Sequence, residues 1–363
     1  MRDPTVGNFP PKIHFTARRH FAFSSPISAE ISGIVALGEG SFMSVSPRSQ
    51  AVRPRVAFGP VLSGWGSWEW VGYDTCRALE TYFETCTFGG EDTPDADIVV
   101  IIKQLPSWRL LQDWAARAAI VYCPIDYFGS AGEIDRAAAS LRSCSRIVVH
   151  AEVLRKYFTP YARVEYLDHH VKFVRPELAP FSPDGYLMWV GVRSNLPPLE
   201  TWLQQHRLPR ELLILTNFEQ PDGPPPLFQP SANQVRIEHW TPESHVRFLK
   251  GAAAALDIKG SDFRARHKPP AKALDFLASG IPFAMPAETS SWQHLNRLGF
   301  ELATPDDLDR WLSRAYWEDT RRFGSALREW LSLERVARRW KWLLNDVWEE
   351  TGSRLTIQPV ASL

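Results

Sequence analysis

The sequence predicts an α/β protein built from two successive parallel-sheet domains and a long C-terminal helix. Three observations carry this prediction. From Arg55 onward, short apolar runs alternate with longer amphipathic stretches, the pattern of parallel strands joined by helices. A proline-rich segment around 172–185 interrupts the alternation once, and the pattern then restarts. Apolar residues recur at helical spacing over Ser325–Glu350 near the end of the chain.

The length and composition of the chain exclude several classes of protein. At 363 residues it is too long for one ordinary core, so we expect two domains of roughly 150 residues each. Hydrophobic residues make up 44% and charged residues 23%, near the average for folded proteins, which excludes global disorder. Lys+Arg and Asp+Glu each count 41, so no broad basic field favours a nucleic-acid partner.

The sequence also predicts a cellular location. No apolar run approaches the roughly 18 to 20 residues that span a bilayer. The four cysteines lack the spacing of a zinc site and are expected to be reduced. We therefore expect a cytoplasmic protein, and peripheral contact with the inner membrane surface stays open.

The first 53 residues differ from the rest of the chain. They contain scattered Pro, Ser and Gly and a basic cluster at 18–20, without sustained strand or helix periodicity. We interpret 1–53 as a poorly ordered extension.

Deletion of Met1–Val52 should leave the fold and ligand affinity nearly intact, because this stretch lacks the periodicity needed to contribute to a core. A thermal melt of the truncated protein tests this expectation. A loss of several degrees in melting temperature would contradict it.

The first domain is expected over 54–180 as six strands with intervening helices. The strands are predicted at Arg55–Gly59, Phe83–Phe88, Asp97–Lys103, Ile120–Pro124, Arg146–His150 and Val164–Leu167. The helices are predicted at Gly66–Thr81, Ser107–Arg117, Ala131–Ser143 and Glu152–Phe158.

The second domain is expected over 184–350, followed by a tail at 351–363. Its strands are predicted at Tyr186–Val192, Leu212–Asn217, Val235–Glu238, Ala254–Ile258, Pro282–Met285 and Glu301–Ala303. Its helices are predicted at Pro197–His206, Glu243–Lys250, Ala271–Ser279, Ser290–Leu298, Asp306–Tyr316 and Ser325–Glu350. A proline-rich loop is expected over Gln220–Asn233.

One short motif follows the first strand of each domain. Gly64 and Gly66 lie in a strand-to-helix turn, where glycine permits close backbone approach to a ligand. They lack the third glycine and the acidic residue of a dinucleotide fingerprint, so we interpret them as a cleft loop. Gly191 and Arg193 occupy the matching place in the second domain, where an arginine suits a diphosphate. A solvated loop arginine is the alternative.

The most informative segment runs from Arg264 to Pro282. Basic residues and a histidine precede a proline-initiated helix, and a glycine stop leads from that helix into a strand. Lys268, Lys272 and the helix N-terminus are expected to meet an anion, with His267 beside them. Asp275 follows Lys272 by one helical turn and is expected to accept hydrogen bonds from a ribose diol. An exposed ion pair is the alternative for Lys272 and Asp275.

The run Pro-Ala-Lys-Ala-Leu-Asp-Phe-Leu-Ala-Ser-Gly-Ile-Pro within that segment resembles a signature of nucleotide-sugar glycosyltransferases. The similar enzymes have the GT-B fold, two Rossmann-like domains facing a cleft, and lie close to glycosyltransferase family 4. The resemblance covers roughly Arg55 to Glu350. It implies a nucleoside diphosphate sugar donor held by Gly191, Arg193, His267, Lys268, Lys272 and Asp275. In such enzymes the final helix crosses back over the first domain.

The family 4 pattern has two glutamates eight positions apart, and this sequence departs from it at both. Asp275 matches the second glutamate, whereas His267 stands at the first. The retaining or inverting course of the reaction therefore stays open.

Asp126 is the candidate catalytic residue. It ends a predicted first-domain strand, and in an inverting enzyme a carboxylate there deprotonates the acceptor hydroxyl. A turn residue before the next helix is the alternative. No Asp-x-Asp follows a strand in the manner of metal-dependent transferases, so we expect neither metal nor cofactor.

The predicted function is transfer of a sugar from a nucleoside diphosphate sugar to a glycan, a lipid-linked acceptor or another hydroxyl. Two alternatives stay open. One is a non-catalytic partner subunit of the same fold that binds sugar nucleotides or glycans. The other is a sugar-nucleotide epimerase or hydrolase.

Overall fold

A computed structural model describes residues 53–90, 92–218 and 233–355, with side chains to residue 351. Apart from Arg53, the predicted extension 1–53 lies outside these ranges, as do most of the loop Gln220–Asn233 and the end of the tail.

The first sheet has six parallel strands in the order β2-β1-β3-β4-β5-β6. The strands are β1 (Arg55–Gly59), β2 (Glu84–Thr87), β3 (Ile98–Ile102), β4 (Ala119–Cys123), β5 (Arg146–Val149) and β6 (Val164–Tyr166). Every residue of β3 and β4 is buried, which explains why these central strands are continuous apolar runs rather than alternating ones.

The second sheet has five parallel strands in the order β11-β10-β7-β8-β9. The strands are β7 (Tyr186–Val190), β8 (Leu212–Thr216), β9 (Val235–His239), β10 (Ala252–Leu256) and β11 (Phe283–Ala284). These two parallel sheets confirm the predicted α/β fold class.

Helices cover both sheets. They are α1 (Asp74–Leu79), α2 (Trp108–Ala115), α3 (Ala131–Arg136), α4 (Ala138–Leu141), α5 (Arg155–Phe158), α6 (Leu196–Gln205), α7 (Pro242–Leu249), α8 (Phe263–His267), α9 (Ala271–Ala278), α10 (Ser290–Arg297), α11 (Leu308–Trp311), α12 (Arg314–Trp330) and α13 (Leu333–Leu355). A π-helical turn precedes α1 over Trp68–Tyr73, and 3₁₀ turns occupy Glu152–Leu154 and Arg193–Asn195. None of the helices in the described ranges is long and apolar enough to cross a membrane.

Two predicted elements of the second domain are wrong. Glu301–Ala303 is not a strand, because only Ala303 pairs, in a single bridge to Ala284. The predicted helix Asp306–Tyr316 divides into α11 and the start of α12. Ser313 causes the division, since its side chain accepts a hydrogen bond from the Tyr316 backbone and caps a new helix.

The predicted long helix Ser325–Glu350 is also two helices. It breaks at Leu331 and Ser332, and the Ser332 hydroxyl caps α13 by accepting from the Arg335 backbone at 3.3 Å. Periodicity does not reveal the break because Leu331 is itself buried, so the apolar pattern continues through it.

The two helices pack against different sheets. α12 packs on α9 beneath the second sheet, at Gly324, where a Cβ atom would lie 2.0 Å from the Leu277 carbonyl oxygen. α13 packs under the first sheet, with the Trp340 ring 6.5 Å from that of Phe58. The chain thus returns to the first domain after completing the second.

Candidate functional site

A cavity of about 460 Å³ lies where the carboxyl ends of the two sheets meet. Ligands bind at this edge in open parallel α/β sheets, because helix N-termini and loop side chains converge there. Side chains that follow β1, β3 and β4 line one wall, and those that follow β7 and β10, with α8 and α9, line the other. The charged lining groups are the cations Lys103, Lys259, Arg264, Lys268 and Lys272 and the carboxylates Asp126, Asp257 and Asp262.

Lys272 extends from the first turn of α9 to the end of the second sheet. Its Nζ donates to the Val190 carbonyl oxygen at 2.7 Å and to Asp257 Oδ1 at 3.1 Å. Lys259 lies 3.0 Å from the other oxygen of Asp257. Two ammonium groups therefore share one buried carboxylate, and the cluster keeps a positive charge.

The pKa values of this cluster reflect both burial and charge. Burial lowers the pKa of Lys272 to about 8, although Asp257 opposes the shift. Burial lowers the pKa of Lys268 as well. Burial alone would raise the pKa of Asp257, but the ammonium groups of Lys259 and Lys272 outweigh it and lower that pKa. Lys272 is thus charged at neutral pH and loses its proton more easily than an ordinary lysine.

The opposite wall holds Asp126, which follows β4. Asp126 Oδ1 accepts a hydrogen bond from Lys103 Nζ at 2.7 Å, and Oδ2 lies 4.0 Å from Lys268 Nζ. The Lys103 ammonium also lies 4.6 Å from the ring centroid of Trp65, an indole that is 47% exposed. This wall therefore offers a carboxylate, a cation and an aromatic face to a ligand.

Left-handed backbone conformations direct these side chains. Lys103 has φ +63° and Ile125, just before Asp126, has φ +52°; no other non-glycine residue in the described ranges has a positive φ. Such conformations cost on the order of 1–3 kcal/mol each in residues with a Cβ. Lys103 follows β3 and lines the cavity, and Ile125 follows β4 just before Asp126, which also lines it.

The glycines of the two predicted loops have separate explanations. Gly64 adopts φ +77°, which requires glycine in the turn that presents Trp65. Gly66 has room for a side chain, because its nearest neighbour would be a Trp70 ring atom at 3.4 Å. At Gly191 a Cβ would lie 2.5 Å from the Trp189 ring, so packing accounts for this glycine.

Of the predicted donor residues, Lys268 and Lys272 line the cavity, whereas Gly191, Arg193, His267 and Asp275 do not. Arg193 is exposed, and its backbone N–H donates to Asn217 Oδ1 at 3.0 Å. His267 stacks on Phe263 with a centroid separation of 4.1 Å and lies edge-on to Tyr157 of the first domain at 5.5 Å. This histidine thus contributes to a contact between the domains.

Asp275 also lies outside the cavity lining. Its carboxylate accepts backbone hydrogen bonds from Lys172 at 2.8 Å and Phe173 at 3.3 Å, in the segment that joins the two sheets. Burial raises its pKa to about 7. The geometry therefore gives the expected ribose contact no support. The same residue secures the connecting segment, which Ser279 also holds by accepting from the Arg175 backbone.

The cavity contains charged residues that the sequence interpretation missed, notably Lys103, Asp257 and Lys259. Asp257 and Lys259 follow β10, which ends at Leu256. The predicted strand Ala254–Ile258 included Asp257, so this residue was not recognised as a residue of the strand end. Lys103 is the last residue of the predicted strand Asp97–Lys103, whereas the observed strand β3 ends at Ile102. A charged residue at the carboxyl end of an apolar run is the signal that would have found all three.

Metal ligands are not grouped in the described ranges: no set of three or more His, Cys, Asp or Glu side chains is placed to hold an ion. The absence of a metal requirement stays a prediction.

Comparison with known proteins identifies structures of the same fold. No protein-family model matches the chain, and neither does any curated protein sequence. AviGT4, a glycosyltransferase involved in avilamycin A biosynthesis, is 15% identical and superposes with a TM-score of 0.54 over 82% of this chain and 98% of its own. An E. coli structure, "Trehalose-6-phosphate … bound with UDP-2-fluoro glucose", is 8% identical and gives a TM-score of 0.55 over 81% and 98%. A trehalose-6-phosphate synthase, OtsA, is 12% identical, with a TM-score of 0.52 over 70% and 72%.

At these identities the likeness establishes the fold, and the chain has the GT-B fold of its neighbours. Membership of family 4 in particular stays a prediction.

Proposed function

We propose that this protein is a glycosyltransferase. It moves a sugar from a nucleoside diphosphate sugar, bound by the second domain, to a hydroxyl acceptor bound by the first. The lysine cluster of the cavity is the observation that carries the proposal. Lys268 and Lys272 project from the segment before α9 and from its first turn toward the carboxyl end of the second sheet, where a diphosphate would be matched in charge and position.

The chemistry asks the protein to stabilise a leaving diphosphate. The bond between the anomeric carbon and the diphosphate oxygen breaks, and a bond from that carbon to the acceptor oxygen forms. Lys268 and Lys272 oppose the charge that develops on the diphosphate. Asp126 takes the acceptor proton in the inverting form of the reaction, since it lies on the opposite wall of the same cavity.

The acceptor is proposed to be a glycan or a lipid-linked saccharide, because Trp65 presents an exposed aromatic face beside Asp126. Transfer of a hexose, action without a metal, and a cytoplasmic location with contact to a membrane surface are parts of the same proposal.

A panel of radiolabelled nucleotide sugars, each incubated with the purified protein with and without cell-extract acceptors, tests the function. Labelled product that appears only with an acceptor supports transfer. Binding without any product would favour the non-catalytic subunit, and free or altered sugar without an acceptor would favour a hydrolase or epimerase.

Donor affinity should fall as the pH rises. The Lys272 ammonium must be charged to attract the diphosphate, and its pKa is about 8, so the affinity is maintained at pH 7 and declines above pH 8. Between pH 7 and pH 9 the charged fraction falls about tenfold, and the affinity with it. Calorimetry with a nucleoside diphosphate sugar, whose diphosphate does not titrate in this range, measures the change. Lys272→Met should flatten the profile, and an equally steep decline in that variant would assign the titration to another group.

A further inference from the structure

Lys103 is a cation of the cavity that the proposed transfer does not use. It lies on the first-domain wall and holds Asp126 Oδ1 at 2.7 Å, while the other oxygen of that carboxylate lies 4.0 Å from Lys268 Nζ. The Asp126 carboxylate thus lies between two lysines. It is within hydrogen-bond length of Lys103, in its own domain, but beyond that length from Lys268, in the proposed donor site.

The backbone around Lys103 holds this arrangement in place. The Lys103 N–H donates to the Cys123 carbonyl oxygen at 2.8 Å, and the buried Tyr122 hydroxyl donates to the Lys103 carbonyl oxygen at 2.9 Å. These bonds connect the end of β3 to β4 and fix the left-handed turn at Lys103. These hydrogen bonds, rather than the backbone preference of lysine, therefore determine the conformation of the turn.

The Trp65 ring also restricts the position of the Lys103 ammonium group. With the indole at 4.6 Å and Asp126 at 2.7 Å, the Lys103 side chain is restricted although it borders a cavity; only 16% of it is exposed. A restricted cation next to a carboxylate is a fixed electrostatic partner.

We infer that Lys103 is a positioning residue of the donor site. By holding Asp126, it keeps this carboxylate 4.0 Å from the Lys268 ammonium, beyond hydrogen-bond length, so that Lys268 stays available for the diphosphate. The inference rests on the proposed function, because two anions, Asp126 and the donor diphosphate, compete for one lysine only if the donor binds there. Without Lys103, the carboxylate would close the 4.0 Å gap and neutralise part of the donor site.

The test uses nucleotide binding and needs no transfer activity. Lys103→Met in the full chain should weaken the affinity for the nucleoside diphosphate of the nucleotide sugar selected from the panel by about tenfold, the value of one charge contact of this kind. Lys103→Met combined with Asp126→Asn should restore the affinity, because the competing charge is gone. Lys103→Arg should retain it, since the cation is kept.

Lys341→Met is the matched control. Lys341 lies 4.3 Å from the Tyr82 ring centroid, a similar cation–π contact outside the cavity, and its loss should not change the affinity. Unchanged binding by Lys103→Met would overturn the inference and leave the proposed function intact. Weak binding that the double variant does not restore would also overturn it, because Lys103 would then act as a direct ligand or a structural support. A wild-type protein that binds no nucleoside diphosphate would refute both.

Discussion

Asp126→Asn is expected to lower the rate of sugar transfer by about 100- to 10,000-fold, the usual cost of losing a general base, without weakening donor binding. Asp126 follows β4 on the first-domain wall of the cavity, where an acceptor would meet the donor. The asparagine oxygen can still accept a hydrogen bond from Lys103, so the contact between the two side chains is kept although the ion pair is lost. Loss of activity with normal donor affinity would assign the defect to the proton transfer.

The measurement is initial transfer rate at saturating donor, together with calorimetric donor affinity. Asp113→Asn is the matched control, because Asp113 is exposed on α2 and lies outside the cavity lining. Near-normal turnover in Asp126→Asn would show that the residue serves the turn, and would place a retaining mechanism ahead of the inverting one.

The order of strands and helices could be predicted from the sequence because each buried parallel strand is an apolar run. The run Ile98–Ile102, five buried aliphatic residues, leaves no other interpretation. Limits of helices were harder to predict where two effects compete. The Ser332 hydroxyl caps the start of α13, while buried Leu331 continues the apolar pattern that suggests a single helix.

The candidate site could be predicted only in part. Asp126, Lys268 and Lys272 meet in the cavity, because each lies at the carboxyl end of a strand or the start of a helix. Asp275 illustrates what spacing leaves undetermined. It lies one helical turn from Lys272, yet Lys272 reaches the end of β7 while Asp275 binds the backbone of the connecting segment. Which groups surround a helix is a tertiary property, and a single helix does not encode it.

Lys259 illustrates the reverse case. It lies outside the segment that resembles the glycosyltransferase signature, and only its place shortly after β10 connects it with the donor site. The structure places it 3.0 Å from Asp257, the carboxylate that also binds Lys272. A substitution at Lys259 therefore changes the donor cluster and cannot serve as a neutral control for Lys272.

Lys272→Met is expected to weaken nucleoside diphosphate binding by about 10- to 150-fold, which corresponds to the roughly 1.5–3 kcal/mol of a charge-assisted hydrogen bond. Methionine keeps most of the length of the side chain that packs near the Trp189 ring, and Asp257 keeps its partner Lys259, so the loss should be confined to the charge. Calorimetric titration with the nucleoside diphosphate of the nucleotide sugar selected from the panel measures the effect.

Lys250→Met supplies the comparison, since Lys250 is an exposed lysine of the same domain at the end of α7, away from the cavity lining. Equal affinities in the two variants would remove Lys272 from the donor site. The proposed function would then lose its main support, because the convergence of Lys272 and Lys268 at the carboxyl end of the second sheet is what distinguishes this cavity from a solvated cleft between two domains.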